Sequence, residues 1–168
     1  FIFNPIGKLR KAHFEISYTN SMLYNPNLFN SNITEAKIRL HSTNFFSSGI
    51  SIKQTIGDTY DYFEARTNDL NHVFIYGPSL DFYWWNSTDY RNKFSGDLGF
   101  GYDAIPEFDS RSYQIRWAPR YRVNNHLFMT YVISHKLELN NVGRAFDSNY
   151  TNLEDELGNI LFSTRKRK

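Results

Sequence analysis

The stretch Glu35-Ala36-Lys37-Ile38-Arg39-Leu40-His41 alternates polar and apolar residues at every position. Successive side chains of a β-strand point to opposite faces, so Ala36, Ile38 and Leu40 would share one face and the charged side chains the other. The same period of two recurs along the chain, and no helical period competes with it. The sequence therefore predicts an all-β fold.

Seven segments share this alternation. Their apolar positions run from Phe14 to Tyr24, Ala36 to Leu40, Ile50 to Ile56, Phe74 to Trp84, Phe94 to Tyr102, Tyr113 to Tyr121 and Leu127 to Leu139. No Asp, Glu, Lys or Arg falls on the apolar faces, and the charged residues are on the opposite ones: Glu15, Glu35, Lys37, Arg39, Lys53, Asp81, Lys93, Asp97, Arg116, Arg120, Lys136 and Glu138. One face is expected to meet an apolar environment and the other to meet water. Pro78 and Pro119 fall inside segments, where a bulge or an early strand end is expected because proline cannot donate to the ladder.

Segment length and spacing favour a membrane barrel over a soluble sheet. The segments span about 9–13 residues, which suits a tilted transmembrane strand, whereas soluble strands are usually about 5–6 residues long. Short connections are predicted near Phe45–Ser48, Asn86–Tyr90 and Arg122–Asn125, and long ones near Asn25–Asn32, Gly57–Asn71, Asp103–Ser110 and Asn140–Leu157. Short periplasmic turns that alternate with long outer loops are typical of barrels. The predicted interfacial aromatic residues are Tyr24, Trp84, Trp85, Tyr102 and Tyr121.

Composition agrees with this interpretation. Aromatic residues make up 18% of the 168 residues, yet the mean hydropathy is −0.56. A helical membrane protein needs runs of about 20 apolar residues, and the sequence has none. Barrels combine many rings with low hydropathy because half of each strand faces a polar interior. The net charge of +2 is too small to indicate a nucleic-acid surface, and the absence of cysteine excludes disulfides and thiolate metal sites.

Five stretches, in order along nearly the whole chain, carry a resemblance to one family. They are Phe3-Asn4-Pro5-Ile6-Gly7-Lys8, Tyr60-Asp61-Tyr62-Phe63-Glu64-Ala65-Arg66, Ser87-Thr88-Asp89-Tyr90-Arg91-Asn92-Lys93-Phe94, Arg120-Tyr121-Arg122-Val123-Asn124 and Asn159-Ile160-Leu161-Phe162. Together they resemble the C-terminal region of a Bacteroidota outer-membrane family of unknown function. In that family an N-terminal family-9-like carbohydrate-binding module precedes a large β-barrel.

The resemblance implies a fold and a location but no reaction. Residues 1–168 would be a fragment of a single outer-membrane β-barrel domain, contributing seven to eight antiparallel transmembrane strands, with the N-terminal module and the remaining strands outside it. The basic run Arg165-Lys166-Arg167-Lys168 is expected to start a further strand or turn rather than to bind nucleic acid.

Three functions stay open at this point. The first is an outer-membrane barrel that transports a solute or anchors a carbohydrate-binding module, with outer-membrane lipid as its partner. Carbohydrate or peptide at the outer loops and other outer-membrane proteins are further candidate partners. The second is a soluble β-sandwich or lipocalin-like binding module, whose apolar face would point inward. The third is a hydrolase with its site in the outer loops.

The candidate ligand-contacting residues are Tyr60, Tyr62, Phe63, Glu64 and Arg66. This mixture of rings and charges is typical of loops that contact sugars or peptides, and the alternative is an outer loop whose rings pack on the barrel rim. The acidic residues Asp103, Glu107 and Asp109 do not have EF-hand spacing and are expected to form a solvated loop. The histidines lack zinc-binding spacing, and there is no G-x-S-x-G or phosphate-binding loop. No catalytic residue, cofactor or metal site is predicted.

Overall fold

The computed structural model describes residues 7–64 and 72–167. Its strands are β1 (Leu9–Met22), β2 (Phe29–Ser42), β3 (Ser47–Ile56), β4 (Thr59–Asp61), β5 (Phe74–Tyr76), β6 (Leu80–Ser87), β7 (Phe94–Ile105), β8 (Ser110–Arg122), β9 (Phe128–Thr130), β10 (Ile133–Arg144) and β11 (Phe162–Arg167). A short 3-10 turn covers Pro106–Phe108. No helix in these ranges is long and apolar enough to cross a membrane.

Most strands form one antiparallel sheet in the order β1-β2-β3-β6-β7-β8-β10-β11, with β9 beside β8. The strands β1 and β11 are its two edges and do not pair with each other, so the sheet is open. The strands β4 and β5 form a separate two-stranded hairpin. The all-β antiparallel prediction is confirmed, and the predicted basic run contributes to the last strand.

The register aligns the apolar side chains in rows that cross seven strands. One row contains Ile16, Ala36, Ile52, Phe82, Tyr102, Tyr113 and Leu137, and the next contains Phe14, Ile38, Ile50, Trp84, Phe100, Ile115 and His135. A row on the other side of the sheet contains Ser17, Glu35, Lys53, Asp81, Asp103, Ser112 and Glu138. We call these two sides the apolar face and the polar face. The predicted separation of apolar from charged residues is confirmed.

Burial is greater on the polar face than on the apolar face. Ser31, Thr55, Ser95 and Ala118 are buried there. On the apolar face each of the seven strands has an exposed large side chain, for example Ile16 at 65%. The rings of Phe82, Trp84, Phe100 and Tyr102 are half-buried. Within the described ranges, the hydrophobic side chains that count as buried are those of Tyr62 and Ala118. The sheet therefore lacks the covered apolar side that a soluble antiparallel sheet packs against its core.

A tryptophan ring fills space over a glycine on the polar face. Gly49 and Gly99 are the ladder partners of Trp85, and a Cβ on Gly49 would overlap the indole ring. Glycine is needed here because the ring lies so close to the backbone. Trp85 therefore lies on the polar face, and its place in an interfacial girdle stays a prediction. The neighbouring Trp84 is on the apolar face but pairs with Ile50 in the middle of it, not at its rim.

Pro78 separates two strands, as predicted, whereas β8 continues through Pro119 without the predicted bulge or early end. Pro78 lies between β5 and β6, so the predicted fourth strand is divided there. Pro119 is inside β8, and the strand opposite it is divided into β9 and β10. The N–H of Tyr131 donates to the carbonyl of Pro119 at 3.0 Å, but proline has no N–H with which to complete the pair of ladder bonds.

The connections lie at two ends of the sheet. At one end, which we call the turn end, segments 43–46, 88–93 and 123–127 connect the strands. At the other, the loop end, the connecting segments are 23–28, 57–79, 106–109 and 145–161. The three predicted short connections and the long loop near Asn140–Leu157 are confirmed. The loop predicted at Gly57–Asn71 contains β4, and residues 65–71 of it lie outside the described ranges.

Two of the predicted long loops are short. The loop predicted at Asn25–Asn32 ends early because β2 already begins at Phe29, where its polar residues pair with β1. The loop predicted at Asp103–Ser110 is reduced to four residues because β7 extends to Ile105. Backbone pairing does not require an apolar side chain, so alternation of apolar residues underestimates strand length at polar ends.

Candidate functional site

The β4–β5 hairpin lies against the polar face near the loop end. The hydroxyl of Tyr62 donates a hydrogen bond to the carbonyl of Phe29 at 2.8 Å. The side-chain amide of Asn30 donates to the carbonyl of Tyr60, also at 2.8 Å. The rings of Phe29 and Tyr60 meet edge to face with centroids 5.8 Å apart. These contacts attach β4 to the start of β2.

The other strand of the hairpin is attached to the far side of the sheet. Phe74 stacks on Phe108 with centroids 5.8 Å apart, and on Phe162 of β11 with centroids 4.2 Å apart. The strands β2 and β11 lie six places apart in the sheet order. A flat sheet would separate them by about 29 Å at roughly 4.8 Å per strand. Because one narrow hairpin contacts both, the contacts favour a sheet that curls around its polar face.

A cavity of about 530 Å³ lies between the hairpin and the sheet. The sheet contributes three charged side chains from one cross-strand row, those of Lys53, Asp81 and Asp103. The hairpin and the turn after it contribute Thr59, Asp61, Phe63 and Tyr76. Lys53 Nζ is 3.2 Å from a carboxylate oxygen of Asp81. Asp103 is the direct ladder partner of Asp81, which places two carboxylates on one wall of the cavity.

The hairpin places the phenol of Tyr76 in the cavity, and this phenol is neutral. Burial raises the pKa of Tyr76, and the nearby carboxylate of Asp61 raises it further. The phenol is therefore neutral and able to donate a hydrogen bond. Carboxylates, an ammonium group, hydroxyls and the exposed ring of Phe63 together suit a polar solute with several hydrogen-bonding groups.

The comparisons with known proteins give one match. A family model described as a domain of unknown function, DUF5916, matches residues 1–168. The chain belongs to this family. No curated protein and no solved structure matches it.

The residues predicted to contact a ligand have different surroundings in this DUF5916 domain. Tyr60 and Tyr62 pack against the start of β2, which agrees with the alternative that these rings pack on the sheet. Phe63 is exposed and lines the cavity. Glu64 lies in the turn that follows β4 and does not line it. Arg66 lies outside the described residues.

The acidic residues predicted to form one solvated loop are separated in the DUF5916 domain. Asp103 lines the cavity, whereas the carboxylate of Glu107 accepts a hydrogen bond from the N–H of Gly77. Asp109 pairs with Arg111 at 2.6 Å. In the described part of the chain, no three His, Asp or Glu side chains are grouped closely enough to hold a metal ion.

The sequence did not identify Lys53, Asp81 and Asp103 as a site of the DUF5916 domain. It placed Lys53 and Asp81 on the polar face, which is correct, and Asp103 in a loop. Their common row depends on the register of three strands, and no motif spacing encodes that register. For Asp81 and Asp103 the short turn at 88–93 was an available signal, because turn positions fix the register of a hairpin. No short turn joins β3 to β6, so the position of Lys53 in the row had no such signal.

Proposed function

We propose that this DUF5916 domain is part of an outer-membrane β-barrel, with its apolar face toward lipid and its polar face toward the barrel interior. The observation that carries the proposal is the reversed burial of the two faces. Exposed apolar rows cross seven strands, far beyond the patches of a few hundred Å² that soluble monomers usually expose. Lipid would cover this surface, and water would fill the interior opposite.

The open edges support a barrel that is completed by other strands of the full-length protein. The strand β1 is 14 residues long and has a neighbour on one side only, β2. Unpaired backbone groups are not tolerated in hydrocarbon, so both edges of the sheet would need partners in a membrane. The order of the five motifs, which resembles that of a Bacteroidota family with a carbohydrate-binding module, is in keeping with this arrangement.

The hairpin suggests what the barrel does. It crosses the polar face from β2 to β11, so it would narrow the interior near the loop end. The wall beneath it carries Lys53, Asp81 and Asp103. We infer a role in selective passage of a polar solute, with the loop end toward the cell surface. If the interior is closed in the complete barrel, the role is to anchor the carbohydrate-binding module at the outer membrane.

The soluble alternative fits less well. A β-sandwich or a lipocalin-like module keeps its apolar face inward, under a second layer or inside the barrel. Here the element that covers the sheet, the hairpin, packs on the polar face instead.

A hydrolase is the second candidate, and the Asp81–Asp103 pair favours it. Paired carboxylates perform acid–base hydrolysis of glycosides. Asp103→Asn would then abolish turnover of a glycan, with Asp109→Asn at the exposed loop end as the matched control. Equal turnover by both variants would dismiss this candidate.

Detergent dependence tests the barrel proposal directly. The 168-residue chain produced alone is expected to aggregate in detergent-free buffer, because its apolar face and both sheet edges are uncovered. The full-length protein is expected to be monodisperse in detergent only. A soluble 168-residue chain that melts cooperatively without detergent would overturn the proposal.

A further inference from the structure

Positive charge is concentrated at the turn end of the sheet. We call the following residues the basic rim: Lys8, Arg10, Lys11, Arg91, Lys93, Arg120 and Arg122. The three turn-end connections contain a single acidic residue, Asp89. The acidic residues of the loop end include Asp58, Glu64, Glu107, Asp109, Asp147, Glu154, Asp155 and Glu156. The two ends of the same strands therefore carry opposite charge.

Most charges of the basic rim are not neutralised by acidic side chains. Arg91 pairs with Asp89 at 2.8 Å. The other rim side chains form no ion pair within the ranges that the structure describes. Arg10 lies 5.1 Å from the ring centroid of Phe45, and Lys93 lies 5.5 Å from that of Tyr121. Such contacts with rings position the cations but leave their charge uncompensated.

An apolar groove of about 730 Å³ opens on the apolar face beside the basic rim. Phe94, Leu98 and Trp117 form its walls. Between them lie Gly96 and Pro119, which are ladder partners and provide no large side chain. The groove exists because two small residues face each other within a row of large ones.

Two cations of the basic rim adjoin residues that line this groove. The charged residue of the lining itself is Asp97, whose carboxylate accepts hydrogen bonds from the hydroxyls of Ser87 and Tyr90. Asn92 lines the groove, and its chain neighbours are Arg91 and Lys93. The Arg91 guanidinium lies 3.4 Å from the ring centroid of Phe45, and the next residue, Phe46, also lines the groove. An apolar groove beside cations is complementary to an anionic lipid, because the acyl chains of the lipid are apolar and its phosphate is negatively charged.

We propose that the groove and the basic rim bind an anionic phospholipid, with an acyl chain in the groove and the phosphate at Lys93, whose chain neighbours Asn92 and Phe94 line the groove. The proposal rests on the proposed function, because the groove lies on the face assigned to lipid. Anionic headgroups attract Lys and Arg at a membrane surface, by about a fivefold gain in binding for each cation. A nucleic acid would meet the same cations but would not occupy an apolar groove.

The test uses the full-length protein in a neutral detergent and measures lipid retention by native mass spectrometry. Phosphatidylglycerol is expected to bind at least tenfold more tightly than phosphatidylcholine with the same acyl chains. Inorganic phosphate is expected not to displace it, since phosphate lacks the acyl chain. Displacement by phosphate at equal concentration would mean a simple anion site and would overturn the lipid proposal.

Substitutions separate the two parts of the site. Lys93→Gln is expected to weaken phosphatidylglycerol binding about fivefold. Arg111→Gln, which removes an exposed cation at the loop end, is the matched control and should have no effect. Phe94→Ala should weaken the binding of both lipids equally, by several-fold. Ile16→Ala, which changes an apolar residue on β1 of the same face, should leave the binding of both lipids unchanged.

The outcomes distinguish this inference from the proposed function. A full-length protein that is stable without detergent would overturn both the barrel proposal and the lipid site. A detergent-dependent protein that binds the two lipids equally, or whose Lys93→Gln variant matches the parent, would overturn the lipid site alone.

Discussion

The hydroxyl of Tyr62 lies 2.8 Å from the backbone carbonyl of Phe29, and this hydrogen bond connects residues 33 positions apart in the chain. It attaches the β4–β5 hairpin to the second strand of the main sheet. The phenol ring is buried, so water cannot replace the bond without moving the hairpin.

Tyr62→Phe is therefore expected to loosen the hairpin without unfolding the sheet. Loss of one buried hydrogen bond costs about 1 kcal/mol, which corresponds to about fivefold faster amide exchange in β4 and β5. Hydrogen exchange of the full-length protein in detergent measures this. Tyr18→Phe is the control, because its 2.8 Å bond to Asn32 is exposed and joins β1 to β2 without a hairpin residue. Unchanged exchange in Tyr62→Phe would mean that the ring contacts alone hold the hairpin.

The two faces of β2 should respond oppositely to charge. Ile38→Arg places a guanidinium on the apolar face, which would cost about 2–4 kcal/mol near the bilayer midplane. Lys37→Ile removes one partner of the 2.6 Å ion pair with Glu35, a half-exposed pair worth about 1 kcal/mol or less. Folding titrations into lipid vesicles compare the two variants, with Ile38→Leu as the control. Greater damage from Lys37→Ile would invert the assignment of the faces.

The two ends of the sheet should differ in accessibility on intact cells. The chain has no cysteine, so single cysteines can be introduced without a background signal. Asn149 is exposed in the 145–161 loop and should react with a membrane-impermeant thiol reagent when changed to cysteine. Asn124, in the turn 123–127, should not react. Labelling at position 124 alone would mean that the orientation is the reverse of the one proposed. Equal labelling at both positions would contradict the membrane assignment.

The turn 88–93 should lose stability in acid. The Arg91 side chain, which donates hydrogen bonds to Asp89, holds the pKa of that carboxyl below its ordinary value. A lowered folded-state pKa stabilises the protein fully above the unfolded-state pKa of about 4, and the contribution is lost as the pH falls through the folded-state value. Asp89→Asn should therefore be less stable than the parent at pH 7 and should converge with it in stronger acid.

Urea unfolding in detergent at a series of pH values measures this convergence. Asp147→Asn, a change of the same kind in the 145–161 loop, is the control for general effects of removing an acidic residue. A constant difference between Asp89→Asn and the parent at every pH would show that the charge of Asp89 does not contribute.

The alternation of polar and apolar residues predicted most strands of the main sheet, but not the polar ends by which some of them are longer. The residues of β3 and β8 have clean alternation, and their strands were predicted to within a few residues. The start of β2 contains Ser31 and Asn32, which pair with the neighbouring strand through their backbone. Strand formation at these positions depends on the neighbour rather than on the side chains, so periodicity could not indicate it.

The sequence by itself determined which side chains share a face, because residues two apart in any strand point the same way regardless of what surrounds the strand. It also determined where Pro78 and Pro119 interrupt pairing, because a missing N–H is a local property. The tertiary structure alone decided that the hairpin folds over the polar face and that Asp81 and Asp103 share a cavity wall with Lys53. Contacts such as that between Phe74 and Phe162 join distant parts of the chain, and their formation depends on the register and curvature of the whole sheet.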